Sequence, residues 1–566
     1  MGRIRHVQPL TSRALPLLLA VLLAVLAGCY RKPLSRGHAA GALDNPPAPA
    51  SRFFSTAAEE AYSTVQLPGD GDLWPSCWAD DDNLYTANGD GIAFRPRHKH
   101  PNINKQRYDM AVSVITGAPP SSLAGRTLAT NVGTNWSGSH YNRKPTGMLC
   151  LHGVLYLAYQ NLSKTFDDVP AASIARSADH GRHWTWNQAA PMFGAAAGQP
   201  AGPRAGLFTT LFFLDYGRDS EHSRDSYVYV YGLDRNWRAQ SDLYLARVPG
   251  PRVMDRSAWQ FYSGVSADGQ PQWSPEILHK HPVLTDSRLL YAHRIGDPVS
   301  GCAVIGQGGV VYDAPLRRYL FTSWSCATHE LYEASEPWGP WRSVLSMDFG
   351  LDKTVHNYGL YGTSIPSKFI SADGRTLYLQ SNVWWDAYTF ALRRLYLTPY
   401  AATPPQAGSP GDNLALAPGT RAISKSTHDG QLCGLDCADG MANGMESEDD
   451  DDGEAKQFSW WGYTWPRAYR LRTIVYRTGR VTSAGGWFAQ SPRVQVRQNL
   501  QWKDVPGTAI APAYPASSPT DTHAQYTFHL PDGTWGDGVR ILGTPGGTRH
   551  FTSISRLSVY AADAGW

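Results

Sequence analysis

What this chain lacks narrows its class first. Between residues 55 and 400 no stretch places apolar residues at the three-to-four spacing of an amphipathic helix, which argues against a helical or α/β architecture there. Net charge is small, +3 over 566 residues, and the Lys/Arg clusters are short. A nucleic-acid partner is therefore not expected. No apolar run is long enough to span a bilayer; Leu15–Leu26 is too short. The seven cysteines show no CxxC spacing, so no zinc site is expected.

What is abundant points to β-structure. The chain holds 20 Trp, 29 Tyr, 54 Gly and 40 Pro. Aromatics with many turn formers suit strands and tight loops. Surplus tryptophan also suits sugar binding, because a sugar's C–H face stacks on an indole. Most single tryptophans are nonetheless core residues. Short alternations such as "GVLYLAY", "SYVYVYG", "DLYLARV" and "TLYLQSNVW" recur between Gly/Asp/Asn turns. "SADHGRHW" (Ser177–Trp184) resembles the Asp-box of sialidase-like propellers, a structural turn. "SADGQPQW" and "SADGRTLY" echo it. The strands group into five units near 73–115, 146–190, 205–262, 285–345 and 358–398. The expectation is an all-β chain: a five-bladed β-propeller over 55–400, then a β-sandwich. A chain this long needs at least two domains.

The first 54 residues read as targeting. Arg3, Arg5 and Arg13 precede Leu15–Leu26, which has the length of a signal-peptide apolar core. It ends in "LAGC", which resembles the lipobox of bacterial lipoproteins, with Cys29 as the lipidated residue. Residues 1–28 would be the signal peptide and 29–54 a flexible tether. Tyr30 in place of an Asp favours the outer membrane over inner-membrane retention. The expected location is the cell envelope, with the lipid as the sole membrane contact. The six remaining cysteines form an even set in an oxidising compartment. Cys302/Cys326 and Cys433/Cys437 are plausible local pairs, and Cys77/Cys150 would join the first two units.

"TPPQAGSPGD" marks a linker over 401–411. Beyond it, "NLALA" and the ending "GVRILGTPGGTRHFTSISRLSVYAA" resemble discoidin-like (F5/8 type C) galactose-binding domains over 412–566. That resemblance implies a jelly-roll sandwich that binds glycan or packs on the propeller. The acidic run Glu446–Glu454 reads as a solvated loop, with a structural calcium site as the sharper alternative. Otherwise no cofactor is expected.

The chemistry is sought at strand ends around the central channel. Two carboxylates facing one another there are the equipment of glycoside hydrolysis. In "GDGDLWPSCWADDDNLYTANGDG" (69–91), Asp72 opens one strand and Asp90 ends its antiparallel partner, so both fall at one end of the hairpin. Asp80–Asp82 are turn residues at the other end. "FLDYGRDSEHSRDSYVYVYG" adds Asp219, Glu221, His222 and Arg224. Arg143 and Lys144 precede the second unit, and Lys368 lies in "SIPSKFISADG". Asp72 and Asp90 are the expected base or nucleophile and its partner, with Asp219 or Glu221 the acid. Trp74 and Trp384 are expected sugar contacts, and Arg143, Lys144, His222, Arg224 and Lys368 substrate clamps. The partner would be a polysaccharide or glycan.

These stretches, with "MLCLHGVLYL", "LYLARVP", "PLRRYLFT", "EPWGPW" and "SKFISADGRTLYL", are similar in order over 68–398 to a bacterial family of five-bladed propellers, DUF4185, which includes endo-D-arabinanases. The resemblance puts Asp72 and Asp90 on the family's two leading acids, and Asp219 and Arg224 on a shared charged motif. "VIGQGGVVY" lacks the Glu expected before the fourth unit's strand, which puts in question the acid, the arabinan substrate and catalysis itself. A surface glycan-binding lipoprotein without activity is the competing reading. A sialidase is disfavoured: one Asp-box stands without a recognisable arginine triad or nucleophilic tyrosine.

Overall fold

A computed structural model describes residues 48–59, 65–94, 107–196, 204–290, 302–325, 328–348, 361–382, 389–399, 411–417, 420–424, 446–449, 458–498, 501–515 and 519–562. Cys29, Trp384 and the Cys433/Cys437 pair lie outside these residues, as do Cys326 and the Cys302 side chain.

Five antiparallel sheets follow one another along the chain. The first pairs Asp70–Asp72 and then Ser76–Trp78 with Leu84–Ala93, followed by Tyr108–Thr116 and Ala124–Thr130. The second runs Tyr141–Leu151, Val154–Ser163, Ala171–Ser177, with Thr185 bridging Arg176 at its outer edge. The third begins at Thr210–Asp215 and the fourth at Gly309–Asp313, each continued outward by further antiparallel strands. These two first strands pair in parallel, Leu214 with Val310 and Asp215 with Val311. The fifth sheet holds Thr376–Asn382 and Phe390–Pro399. This is a five-bladed propeller.

The ring closes in a way the sequence grouping missed. The fifth blade's outer strand comes from the N-terminal side: Phe54–Glu59 pairs with Leu395–Pro399, and Val65–Gln66 with Ala391–Leu392. An open edge of unpaired N–H and C=O groups is thereby covered, and the two ends of the propeller are tied by a ladder. A disulfide between Cys77 and Cys150 joins the inner strands of blades one and two, with Cα atoms 5.6 Å apart, as expected.

The Asp-box turn is structural. Ser177 Oγ and Asp179 accept backbone hydrogens from Gly181 and His183, and the Trp184 indole donates to Gly181 O. Ser371 and Asp373 repeat the pattern in blade five.

Beyond the propeller, one 19-residue strand, Ser459–Arg477, serves both sheets of a sandwich. Its first half pairs with Arg421–Ser424 and Trp535–Gly543, and its second with Gln525–His529 and Arg556–Ala561. Trp461, Tyr463, Trp465, Tyr476, Phe528 and Ile541 fill the space between. The described part of the acidic run is not uniformly solvated: Glu446 is exposed but Asp449 is buried. Asp449 is buried and accepts from Ser459 Oγ and Thr552 N, while Glu446 accepts from Arg480 N.

Candidate active site

The inner strand of blade one breaks just after Asp72. Leu73 and Trp74 take positive φ, 73° and 52°, as does Asp90 at 41°. Two non-glycine residues just after Asp72, and Asp90 itself, lie in this sparsely populated region, so local strain is concentrated there. It is held in place: Leu73 N donates to Asn382 Oδ1 (2.9 Å), Trp74 N to Asp72 O (3.0 Å) and the Trp74 indole to Gly71 O (2.8 Å). Gly89 lies opposite Asp72. A Cβ there would sit 2.4 Å from Asp72 Oδ1 and 2.9 Å from Lys144 Cδ, so this position has no room for a side chain.

Lys144 is the centre of the cluster. Its buried ammonium lies 2.5 Å from Asp90 Oδ2 and 3.3 Å from Asp72 Oδ2. The Tyr361 hydroxyl donates to Asp72 Oδ2 at 3.2 Å. Tyr361 in turn packs against Trp237 and Trp324, with ring centroids 5.6 and 5.7 Å away. All five blades thus contribute: Asp72 and Asp90, Lys144, Trp237, Trp324 and Tyr361. Asp72 is buried and Asp90 partly exposed. Burial pushes the Asp72 carboxyl above the usual aspartate range; the Lys144 ammonium pulls it down and the Asp90 charge pushes it further up. Among the described residues no third carboxylate pairs with this trio.

Lys144, Asp72 and Asp90 are therefore brought together, and the other expected site residues are not. Asp219 accepts from Gly153 N (3.0 Å), at the turn closing the hairpin of strands Tyr141–Leu151 and Val154–Ser163. Lys144 and Leu151 are seven positions apart on an extended strand, roughly 23 Å. Asp219 sits at the far end and cannot be the acid. His222 lies beside Glu221 there, at 3.6 Å. Arg224 stacks on Tyr312 and donates to its hydroxyl. Lys368 pairs with Asp82 Oδ1 at 3.0 Å. Arg143 spends all five N–H donors on Asp109, Asn131 and Gly133. Trp74 is no sugar platform: it is fully buried between Phe94 and Phe390.

Trp237, Trp324, Tyr361 and Asn382 escaped the sequence reading. Each sits in an ordinary strand-end context, and their shared location comes only from closing the ring. The stretch "VIGQGGVVY", in which a Glu was expected, carries Gln307. Gln307 is buried there, donating to Pro145 O (3.0 Å), while Trp324 donates to Gln307 O (2.8 Å). An amide cannot carry a proton to a leaving group.

Asp80, Asp81 and His180 place ligand atoms within 4.8 Å of one another. These are committed turn residues: Asp81 accepts from Asn83 and Tyr85, and Asp80 pairs with His180.

The domain-of-unknown-function family DUF4185 matches residues 88–394, more than half of the chain. The chain belongs to this family. Asp90 and Lys144 lie inside the DUF4185 match and Asp72 just ahead of it. No curated protein matches. Among solved structures, a GH43_1 enzyme from Xanthomonas citri complexed with xylotriose is 12% identical, with 60% of this chain and 91% of that one covered and a TM-score of 0.34. An exo-beta-1,3-galactanase from Phanerochaete chrysosporium is 10% identical, with 90% and 99% covered and a TM-score of 0.33. A family 32 carbohydrate-binding module from Clostridium perfringens in complex with galactose is 17% identical, with 25% and 93% covered and a TM-score of 0.20. Likenesses at such scores do not fix a shared activity.

Proposed function

We propose that this chain is an exported, lipid-anchored glycoside hydrolase acting on a polysaccharide, with an arabinan-like furanosidic polymer as the first substrate to test. One observation carries the reading: two carboxylates of unequal burial share one buried ammonium among aromatic rings drawn from the other blades. Export and anchoring are supported by the basic start, the apolar run and "LAGC" ending at Cys29. The C-terminal sandwich would act as a discoidin-like glycan-binding module.

Loss of Asp219 from the site changes the division of labour. Asp72, buried and with its pKa raised, keeps its proton to higher pH and suits the general acid that protonates the leaving oxygen. Asp90, partly exposed and 2.5 Å from the Lys144 ammonium, suits the partner that attacks the anomeric carbon or activates water. Lys144 is a positioning residue. Two oxygens held by one nitrogen at these distances lie under about 6 Å apart, which fits the closer spacing of retaining enzymes. NMR of freshly released product would show retained configuration; inverted product would reassign Asp90 as a base acting through water.

The second reading is a glycan-binding lipoprotein without activity. It is favoured by Gln307 where the family's Glu is expected and by the ion pairs that already occupy both acids. A reducing-sugar assay run beside glycan binding separates the two. Product release that disappears in Asp90→Asn supports hydrolysis. Binding without product, in wild type, supports the alternative.

A further inference from the structure

A cavity lies away from Asp72, in the cleft between blades one and two. It encloses about 430 Å³. Tyr85, Val114 and Thr116 form its back, the outer strand from Ala124 to Leu128 one side, and the Asp-box turn at His180 and Arg182 the other. Tyr85 stands four positions from Gly89, roughly 13 Å along an extended strand, so this space is separate from the Lys144 cluster.

Its polar groups are unevenly satisfied. Asp81 is the one carboxylate in the wall, and it already accepts from Asn83 N, Asn83 Nδ2 and the Tyr85 hydroxyl. His180 is held by Asp80 at 2.8 Å, and its ring lies 5.9 Å from that of Tyr85. Arg126 and Arg182, by contrast, make no ion pair or side-chain hydrogen bond among the described residues, and both are exposed. They come from different blades and line the same space. Two free guanidinium forks match the planar, two-oxygen geometry of a carboxylate. Val114, Ala124 and Leu128 give the opposite character, an apolar wall suited to C–H groups. The turn makes this approach possible: Gly181 has φ 81°, and even a Cβ there would come within 3.2 Å of Leu128.

We propose that this inter-blade cavity is a binding site for a sugar acid, a pyranose or furanose unit carrying a carboxylate, with Arg126 and Arg182 receiving the carboxylate and the Val114–Leu128 wall receiving the ring. It does not depend on hydrolysis at Asp72 and Asp90. A polymer with occasional acidic units would be anchored here, beside the blade-one hairpin whose other end carries those acids.

The test is ligand-observed NMR titration of the full chain with glucuronate, galacturonate, glucose, galactose and inorganic phosphate. At least one uronate should bind wild type at least ten-fold more tightly than the neutral sugars and than phosphate. Arg126→Gln/Arg182→Gln should weaken that binding at least ten-fold, with an unchanged melting temperature, while Asp72→Asn retains it. Raising salt should weaken it as well. The proposal falls if no uronate binds wild type at millimolar concentration, or if phosphate or a neutral sugar binds as tightly. It falls equally if the double variant binds like wild type.

Discussion

The two ends of the blade-one hairpin carry similar residues and do opposite things. At one end Asp72 and Asp90 meet across a strand pair and share Lys144 from the next blade. At the other, Asp80–Asp82 are exposed, and each carboxylate answers a nearby donor: His180, Asn83 and Trp78. The difference is not composition. It is burial, and whether the neighbouring blade supplies a cation that two acids must share. An exposed acid with local donors is simply stable, whereas a buried acid that shares one ammonium with a second carboxylate is held above its usual pKa.

The sharpest way to break this comparison is to neutralise acids at each end in turn. Asp90→Asn or Asp72→Asn should lower hydrolysis by about a thousand-fold or more, as loss of a catalytic carboxylate does. The sign of the stability change distinguishes a functional acid from a structural one. Because burial raises the Asp72 pKa, its charged form costs the folded state free energy at neutral pH. Asp72→Asn should therefore melt no lower than wild type at pH 7. A clear drop in melting temperature would mark Asp72 as a structural anchor.

Removing the strap between the two inner strands should cost nearly as much, in stability. Cys77 and Cys150 are 73 residues apart, and a loop of that size implies roughly 4–4.5 kcal/mol. Chemical denaturation of Cys77→Ala/Cys150→Ala measures it. Activity should fall as well, since these strands carry Asp72 and Lys144.

Lys144→Met should lower activity by roughly ten- to a hundred-fold, the scale of a positioning charge. The limb of the pH–rate profile belonging to Asp72 should move to higher pH, because the ammonium that opposes its upward shift is gone. A profile that only drops in height would mean Lys144 merely contacts substrate.

At the turn that ends the strand Gly309–Asp313, Asp313 is buried with one carboxylate oxygen unpartnered, and burial raises its pKa to about 7. Its folded-state pKa exceeds the unfolded value of 3.8, so the chain should lose stability as pH rises from about 4 through 7. Asp313→Asn should flatten that loss by of order 2 kcal/mol, seen as a smaller difference in melting temperature between pH 5 and pH 8. The smallest effect should be that of Asp219→Asn, expected within about two-fold of wild-type hydrolysis, because it sits roughly 20 Å from the Lys144 cluster.

Legibility followed locality. The Asp72/Asp90 pair could be found because antiparallel pairing is a short-range consequence of one hairpin. Lys144 was singled out as well, but as a substrate clamp, since nothing in "SHYNRKPTGML" tells that Arg143 would be consumed by Asp109 while its neighbour turned inward. Trp74 was misread because proximity to Asp72 in sequence suggests proximity to a ligand. The positive-φ break after Asp72 instead drives the indole between Phe94 and Phe390. Asp219 and Arg224 were misplaced for a related reason: a charged loop shows that polar groups gather, not at which end of a blade.

The sequence by itself determined the all-β class, the five repeated units, the turn role of the Asp-boxes and of Asp80–Asp82, and the meeting of Asp72 and Asp90 at one end of their hairpin. All of these follow from alternation, turn chemistry or pairing within one or two neighbouring units. Tertiary structure alone decided that Phe54–Glu59 closes blade five and that Lys144 bridges both acids. It also decided that Trp237, Trp324 and Tyr361 stand beside them and that Arg126 and Arg182 share a cavity. Those contacts join residues of different blades, up to several hundred positions apart, and only the packing of blade on blade and the closure of the ring bring them together.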